Sequence, residues 1–365
     1  MKILILTQKL NIGGMTTYVL NLSSYLISSG HEVHIATPGG ECTEDVVKMG
    51  CKIVPIILAK SELNPILFKT YKSLKKYILE NKIEVLHCQS RVTQVLGYWL
   101  GRTTTASYVS TCHGLMKRKL HRKLFPYWGK HAIAVSHFVK ELMVCDTRAK
   151  DSDVSVVYHG RLFHKVDKEE QEKFCEMHHI TRQDPIIGTI CRLVAWKGCD
   201  YLIEAVPHIL HKWPRAQFVI VGDGDERASL ERLAQKLKIE KNIQFVGSHI
   251  RPEIFYSLCD VCVVPNRGIE SFGFTVLEAM LYGKPLVLFD LPAMNEIIKG
   301  YECAYVVPPH NVKALAEKID YVLERVSDLS QKAKNGAEFI QQKFSLSSMG
   351  EKTLGIYKKS LQRLS

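Results

Sequence analysis

The sequence predicts a parallel α/β protein built as two doubly wound units in tandem, and three observations carry that prediction. Short β-rich runs alternate with longer amphipathic stretches almost throughout the chain. The alternation fades once, around residues 161–184, where Lys165-Val-Asp-Lys-Glu-Glu-Gln-Glu replaces the apolar pattern, and it then restarts. The length of 365 residues exceeds one comfortable core and suits two. Hydrophobic residues at 46% and charged residues at 24% exclude a disordered or fibrous chain.

In the first half the expected strands are 2–6, 32–36, 53–57, 85–87, 107–111, 132–135 and 154–158. Helical stretches lie between them. One is 15–28, where Met15, Tyr18, Val19, Leu22 and Leu26 share a stripe. The second half predicts strands at 186–190, 218–221, 244–246, 261–264, 286–289 and 304–307, with helices at 202–212, 227–238, 274–282 and 312–325. Strands alternating with helices imply parallel sheets covered on both faces, so each half reads as a Rossmann-like domain with a cleft between the two. No apolar run approaches the roughly 18 residues of a spanning helix. The opening Met-Lys-Ile-Leu-Ile-Leu-Thr-Gln-Lys is too briefly apolar for a signal peptide and reads as the first strand, so a cytoplasmic location is expected.

The 11 cysteines are scattered and odd in number, which argues against a disulfide framework. Cys112, Cys191 and Cys262 sit in strand-like runs, as small buried hydrophobes do. Cys259 and Cys262 form the one Cys-x-x-Cys, and no second pair follows to complete a metal site. The net charge is +12. Residues 1–165 hold 23 Lys and Arg against 11 Asp and Glu, whereas residues 166–365 hold 26 of each. The excess positive charge therefore belongs to the first half, where it suits an anionic partner.

In doubly wound sheets ligands bind beyond the carboxyl ends of the strands, so the residues just after each strand decide function. The sharpest such segment runs Pro265-Asn-Arg-Gly-Ile-Glu270-Ser271-Phe272-Gly273 and passes straight into Phe274-Thr275-Val276-Leu-Glu278. Gly273 lets the backbone approach a ligand. The amides of Phe274, Thr275 and Val276, at the positive end of a helix, make an anion site suited to a diphosphate. Glu270 precedes that helix, and Glu278, one to two turns inside it, suits a pair of vicinal hydroxyls. Taken singly, each glutamate reads as an ordinary surface residue. A second segment, Cys191-Arg192-Leu-Val-Ala-Trp-Lys197-Gly198, follows the first strand of the second half and brings two cations to one turn. In the first half Gly13-Gly14 closes the turn after the first strand, and His113-Gly114 follows the fifth. Glycine pairs and lone histidines are usually structural, so these count only in company.

The chain resembles the family 4 retaining glycosyltransferases of GT-B fold over essentially its whole length. The resemblance rests on an ordered set of segments: Gly13-Gly14, His113-Gly114, Ala134-Val135-Ser136, His159-Gly160, Arg192-Leu193-Val194 with Lys197-Gly198, Val219-Ile220-Val221-Gly222-Asp223-Gly224, Phe245-Val246-Gly247, and Glu270-x7-Glu278 enclosing Phe272-Gly273. It implies a first domain over 1–162 that takes the acceptor, a second over 163–345 that takes the donor, and a last helix, 346–365, returning to the first. It implies a nucleoside diphosphate sugar (UDP- or GDP-linked) as donor. In that reading Glu278 holds the ribose, Glu270 the sugar, and Arg192 and Lys197 the diphosphate, helped by the backbone at Gly14 and 274–276. Gly222 and Gly247 line the nucleotide, and His113 meets the sugar near the reacting centre. No metal or other cofactor is implied, and the acceptor would be a glycan or a lipid-linked molecule of envelope polysaccharide or lipopolysaccharide synthesis. The sequence departs from the family pattern at Cys191, usually glycine, at His159, usually asparagine, and at Asn266, usually serine.

Other readings fit less well. A nicotinamide-binding fingerprint fails because Arg227 stands where the third glycine belongs, and Gly283-Lys284 lacks the upstream glycine of a P-loop. A GT-B sugar-nucleotide epimerase would share the donor site and differ in the acceptor site. A nucleic-acid-binding module would use the basic first half, yet the aromatic residues are not interleaved with the basic ones. The most basic stretch, 115–125, places Met116, Leu120 and Leu124 on one stripe among cations. It reads equally as a solvated helix or as a contact with an anionic membrane at its inner face.

Overall fold

The computed structural model describes residues 1–59, 61–62, 64–114, 125, 127–147, 149–248, 251–268 and 270–362. The chain divides into two compact units, Met1–Leu162 with Phe344–Ser365, and Phe163–Lys343.

The first unit holds a seven-stranded sheet in the order β3-β2-β1-β4-β5-β6-β7. Its strands are β1 (Lys2–Leu6), β2 (Glu32–Thr37), β3 (Lys52–Pro55), β4 (Val85–Cys88), β5 (Ser107–Cys112), β6 (Ala132–Ala134) and β7 (Val154–Val156). Every pairing is parallel; β1, for example, aligns Ile3 with Val33 of β2 and with Val85 of β4. The unbroken apolar run of β1 is explained by burial on both faces. Ile3 and Ile5 pack with Tyr18, Val19 and Leu22 of the Gly14–Ser28 helix and with Met349, Ile356 and Tyr357 of the Leu346–Gln362 helix. Leu4 and Leu6 pack on the other face with Leu74 and Ile78 of the Ile66–Asn81 helix and with Leu96 and Leu100 of the Arg91–Thr103 helix. Each such fully buried side chain contributes about 1.5–3 kcal/mol.

The second unit has six parallel strands in the order β10-β9-β8-β11-β12-β13. They are β8 (Ile186–Ile190), β9 (Gln217–Val221), β10 (Ile243–Gly247), β11 (Val261–Val264), β12 (Leu286–Phe289) and β13 (Ala304–Val307). Renumbered within the unit, this is the order 3-2-1-4-5-6 of a Rossmann fold, whose direction of winding reverses between β8 and β11. The four residues of β11 and the four of β12 are all buried.

The differences from the sequence reading lie in the connections. The stretch 161–184, read as a passage, contains a helix at Lys168–Met177, because Phe174 and Cys175 give it a buried side. The helix expected at 312–325 stops at Leu323, and a further helix, Val326–Lys343, follows it. The last helix spans Leu346–Gln362. Phe344 and Ser345, expected in the second domain, pack in the first unit. The Arg161 amide donates to the Phe344 carbonyl at 3.1 Å, and the Phe344 ring meets Tyr158 at 5.3 Å.

Candidate functional site

In the second unit the loops after β8 and β11 leave the sheet side by side at its switch point. The amides of Arg267 and Gly268 donate to the Trp196 carbonyl at 3.0 and 3.1 Å, which stitches the two loops together. They fit this closely only because Gly198 lacks a side chain: it adopts a left-handed φ of 67°, and a Cβ there would stand 1.9 Å from the Pro265 carbonyl oxygen. At Gly222, φ 133°, a Cβ would meet the Cys191 carbonyl oxygen at 1.8 Å, so β9 also ends against the first loop.

This stitching brings Lys197 to Glu270. The Lys197 ammonium donates to Glu270 Oε2 at 2.6 Å, and both side chains are largely withdrawn from solvent, at 14% and 16% exposure. Asn266 Nδ2 donates to the same oxygen at 3.1 Å, and the Ser271 amide donates to Glu270 Oε1 at 3.3 Å. The ammonium also lies 4.2 Å from the centre of the Trp196 ring. A lysine ammonium has three donors, so Glu270 leaves two for an anion. Arg192, in the same loop, is exposed, and it and Lys197 both act electrostatically on Cys191.

Gly273 takes φ 91° and turns the chain into the Phe274–Leu281 helix. Leu277 makes the first bond inside this helix, to the Gly273 carbonyl at 3.1 Å. The amides of Phe274, Thr275 and Val276 precede it and point out of the helix start. The Thr275 hydroxyl donates to the Ile190 carbonyl at 2.9 Å and fixes that start to the end of β8. Phe272 is buried. Glu278, four residues into the helix, accepts from the Tyr256 hydroxyl at 3.2 Å. Tyr256 is fully buried, and burial, followed by the nearby Glu278 carboxylate, pushes its phenol pKa well up. It therefore stays a donor. Gly247 lies at the end of β10, where its carbonyl accepts from the Gly222 amide at 2.7 Å.

The first unit gathers a different set at its own switch point. The Gly14–Ser28 helix starts within the Gly13-Gly14 pair, with Gly13 as its N-cap, and carries Tyr18, which is 1% exposed. The Tyr18 ring meets His113 edge-on at 4.7 Å and His159 at 5.1 Å, and those two histidines stack on each other at 5.5 Å. His113 Nε2 bonds Gln89 Oε1 at 2.7 Å. Beneath them His87 bonds the Tyr357 hydroxyl through Nδ1 at 2.6 Å and the Thr111 hydroxyl through Nε2 at 2.7 Å. Burial holds His87 and His113 down to about 3 and pushes the Tyr18 phenol up to about 12. His159 is lowered well below the usual imidazole range, by burial and then by His113. All three histidines are therefore neutral at pH 7.

The expected site residues thus form two groups. Arg192, Lys197, Gly222, Gly247, Glu270, Ser271, Phe272, Gly273, 274–276 and Glu278 surround the switch point of the second unit. Gly13, Gly14 and His113 belong to the first unit, with Tyr18 between the helix and the histidine. Sequence reasoning missed Tyr256, Gln89 and Tyr18. Gln89 directly follows β4, so its place at a strand's carboxyl end was the available signal. Tyr256 lies in the interior of the Pro252–Leu258 helix and gave none. Residues 115–124 of the basic stretch lie outside the described residues. Phe125 is 58% exposed and lines a cavity of about 780 Å³ with Tyr98, Trp99, Arg102 and Trp128. Ala106 and Ser107 at the amino end of β5 and His131 just before β6 also line it, whereas His87, His113 and His159 do not. No helix of the described residues is long and apolar enough to cross a membrane.

Two parallel Rossmann-like units, with the last helix returned to the first, define a GT-B protein. The comparisons agree. A glycosyltransferase from Rickettsia africae superimposes with a TM-score of 0.90 at 25% identity, covering 99% of this chain and 98% of that one. An uncharacterized glycosyltransferase, MJ1607 of Methanocaldococcus jannaschii, is 27% identical over 97% of this chain and 96% of its own length. The phosphatidyl-myo-inositol mannosyltransferase of Mycobacterium tuberculosis H37Rv is 27% identical over 86% of this chain and 84% of its own. Two family profiles lie end to end on the sequence, Glycosyltransferase Family 4 on residues 12–161 and Glycosyl transferases group 1 on residues 170–339. The chain belongs to this glycosyltransferase family.

Proposed function

We propose that this glycosyltransferase moves a hexose-type sugar from a nucleoside diphosphate sugar, UDP- or GDP-linked, to a glycan or lipid-linked acceptor, with retention of anomeric configuration. The observation that carries the proposal is the juxtaposition of Arg192, the Lys197–Glu270 pair and the start of the Phe274–Leu281 helix at one switch point. As the bond from the sugar to the diphosphate breaks, negative charge grows on the leaving phosphate. Fixed cations and helix amides there bind the transition state more tightly than the ground state. These groups supply the charge a metal would otherwise bring, so the reaction proceeds without one. Glu270, already held by three donors, presents its carboxylate to the donor sugar. Glu278, steadied by Tyr256, receives the ribose hydroxyls. His113, neutral and oriented by Gln89, donates or accepts a hydrogen bond at the sugar without adding charge. The mycobacterial relative, by its name, mannosylates a lipid, which together with the basic first half supports a lipid-linked acceptor of envelope polysaccharide synthesis at the inner face of the membrane.

The test is thermal stability against UDP-, GDP-, ADP- and CMP-sugars in EDTA. A ligand at 100 times its dissociation constant stabilises by about 2.7 kcal/mol, well visible in a melt. One nucleotide should shift the melt selectively. Lys197→Ala should weaken its binding by about tenfold or more, because a charge-assisted phosphate contact of about 1.5–3 kcal/mol is lost. No shift with any nucleotide, or unaltered affinity in folded Lys197→Ala, refutes the donor site. Product NMR then reads the anomeric configuration.

A further inference from the structure

Cys191 directly follows β8, one residue before Arg192, and Cys199 opens the helix Cys199–Lys212 two residues after Lys197. Their sulfurs lie 3.3 Å apart. The eight-residue step between them is the loop that carries both cations of the donor site. Its two ends are anchored: the Cys191 amide donates to the Val221 carbonyl at 3.0 Å, and Cys199 is 3% exposed within the core. Cys191 is partly exposed, and Cys199 lines a cavity of about 260 Å³ together with Val194 and Asp200.

The surroundings make the two thiols unequal. The hydrogen bond with Cys199, then the nearby ammonium of Lys197 and guanidinium of Arg192, lower the Cys191 thiol, while burial opposes them. Cys199 is raised, by its bond to Cys191 and by burial. A lowered, partly exposed thiol beside a buried partner is an attacking and resolving pair.

We propose that Cys191 and Cys199 are a reversible redox pair whose closure to a disulfide shuts the nucleotide-sugar site. The Cys191 thiolate attacks one sulfur of a small disulfide RSSR, forming a mixed disulfide and expelling RS⁻. Cys199 then gives its proton to RS⁻, and its thiolate attacks the Cys191 sulfur and expels the second RS⁻, which is protonated by solvent. The protein loses two electrons and two protons, and RSSR becomes two RSH. Closure brings the sulfurs from 3.3 Å to about 2.05 Å. That movement of more than an ångström falls on a loop whose Lys197 must keep a 2.6 Å bond to Glu270. Displacements of this size in a site cost up to about a hundredfold in rate, and loss of the Lys197 contact weakens diphosphate binding by about tenfold or more. The gating half of the proposal rests on the donor-site reading; the redox pair itself does not.

The experiment treats full-length Cys145→Ser protein, which lacks the exposed cysteine, with oxidised glutathione. Trypsin cuts after Arg192 and Lys197, so Cys191 and Cys199 part into separate peptides unless linked. We expect a 191–199 crosslinked pair that dithiothreitol reverses. We also expect sugar-nucleotide affinity at least tenfold weaker in the oxidised protein and restored on reduction. Cys199→Ser should bind as the reduced protein does and ignore the oxidant; if it does not fold, Cys191→Ser carries the same expectation. No crosslinked pair under conditions that glutathionylate Cys145 in the unaltered protein overturns the redox pair, and a crosslink that leaves affinity unchanged overturns the gating. If the reduced protein binds no sugar nucleotide at all, the donor-site reading falls while the peptides still decide the pair.

Discussion

Acid should loosen the first unit through its buried histidines, and the amount can be worked out from the structure. His87 is wholly buried and His159 is 2% exposed. The bonds of His87 run to the hydroxyls of Tyr357 and Thr111, and among the described residues no carboxylate bonds it to welcome a second proton. An unfolded histidine protonates near pH 6.5, whereas folded His87 and His113 hold off until about pH 3. Between those values the unfolded chain binds more protons than the folded one, so stability is full above pH 6.5 and falls as the pH drops below it. The loss levels off only near pH 3. From pH 7.5 to 5.5 each histidine that stays neutral in the folded state costs about 1.4 kcal/mol, a figure set by the unfolded value alone. His87 and His159 together therefore cost about 2.7 kcal/mol, and His113, partly open to solvent, adds a screened share. The assay is urea unfolding at both pH values, followed by hydrogen exchange of β4 and β5, for the native sequence and His87→Gln. Carboxylate titration is common to both proteins, so the difference isolates His87. The native protein should lose about 1.4 kcal/mol more than the variant on acidification. Equal losses would show that His87 is not held neutral and would refute the reasoning.

Two further outcomes are expected. Tyr256→Phe removes the hydroxyl that steadies Glu278, a hydrogen bond to a carboxylate, and should weaken sugar-nucleotide binding by about tenfold without unfolding the second unit; titration of the preferred nucleotide checks it. Liposomes holding anionic lipid should sediment the protein better than neutral ones, with the difference lost in high salt, because the net charge of +12 resides in the first half. Equal partitioning onto both would remove the membrane from the proposal.

Much of the fold was legible because several central strands, buried on both faces, are continuous apolar runs. Ile-Leu-Ile-Leu in β1, Val-Cys-Val-Val in β11 and Leu-Val-Leu-Phe in β12 announce themselves in this way. The Val326–Lys343 helix did not, because its buried face is Leu329, Ala333, Ala337 and Ile340, and two alanines make a faint stripe. The Lys168–Met177 helix was hidden likewise, with Phe174 and Cys175 its only buried residues among charged ones.

For the candidate site, local sequence announced the positions after β8 and β11, because glycines and charges cluster where a sheet offers its strand ends to a ligand. It could not announce that Lys197 and Glu270, 73 residues apart, share a 2.6 Å bond. Nor could it show that Tyr256 braces Glu278, or that Cys191 and Cys199 meet. The order of the chain alone determined two parallel α/β units and the loops that bear charge, since periodicity and loop chemistry are local properties. Only tertiary structure decided which of those side chains touch, how far the histidines are withdrawn from water, and which neutral partners they find there. Those outcomes depend on strand order and packing, which place residues from distant parts of the sequence within bonding distance of one another.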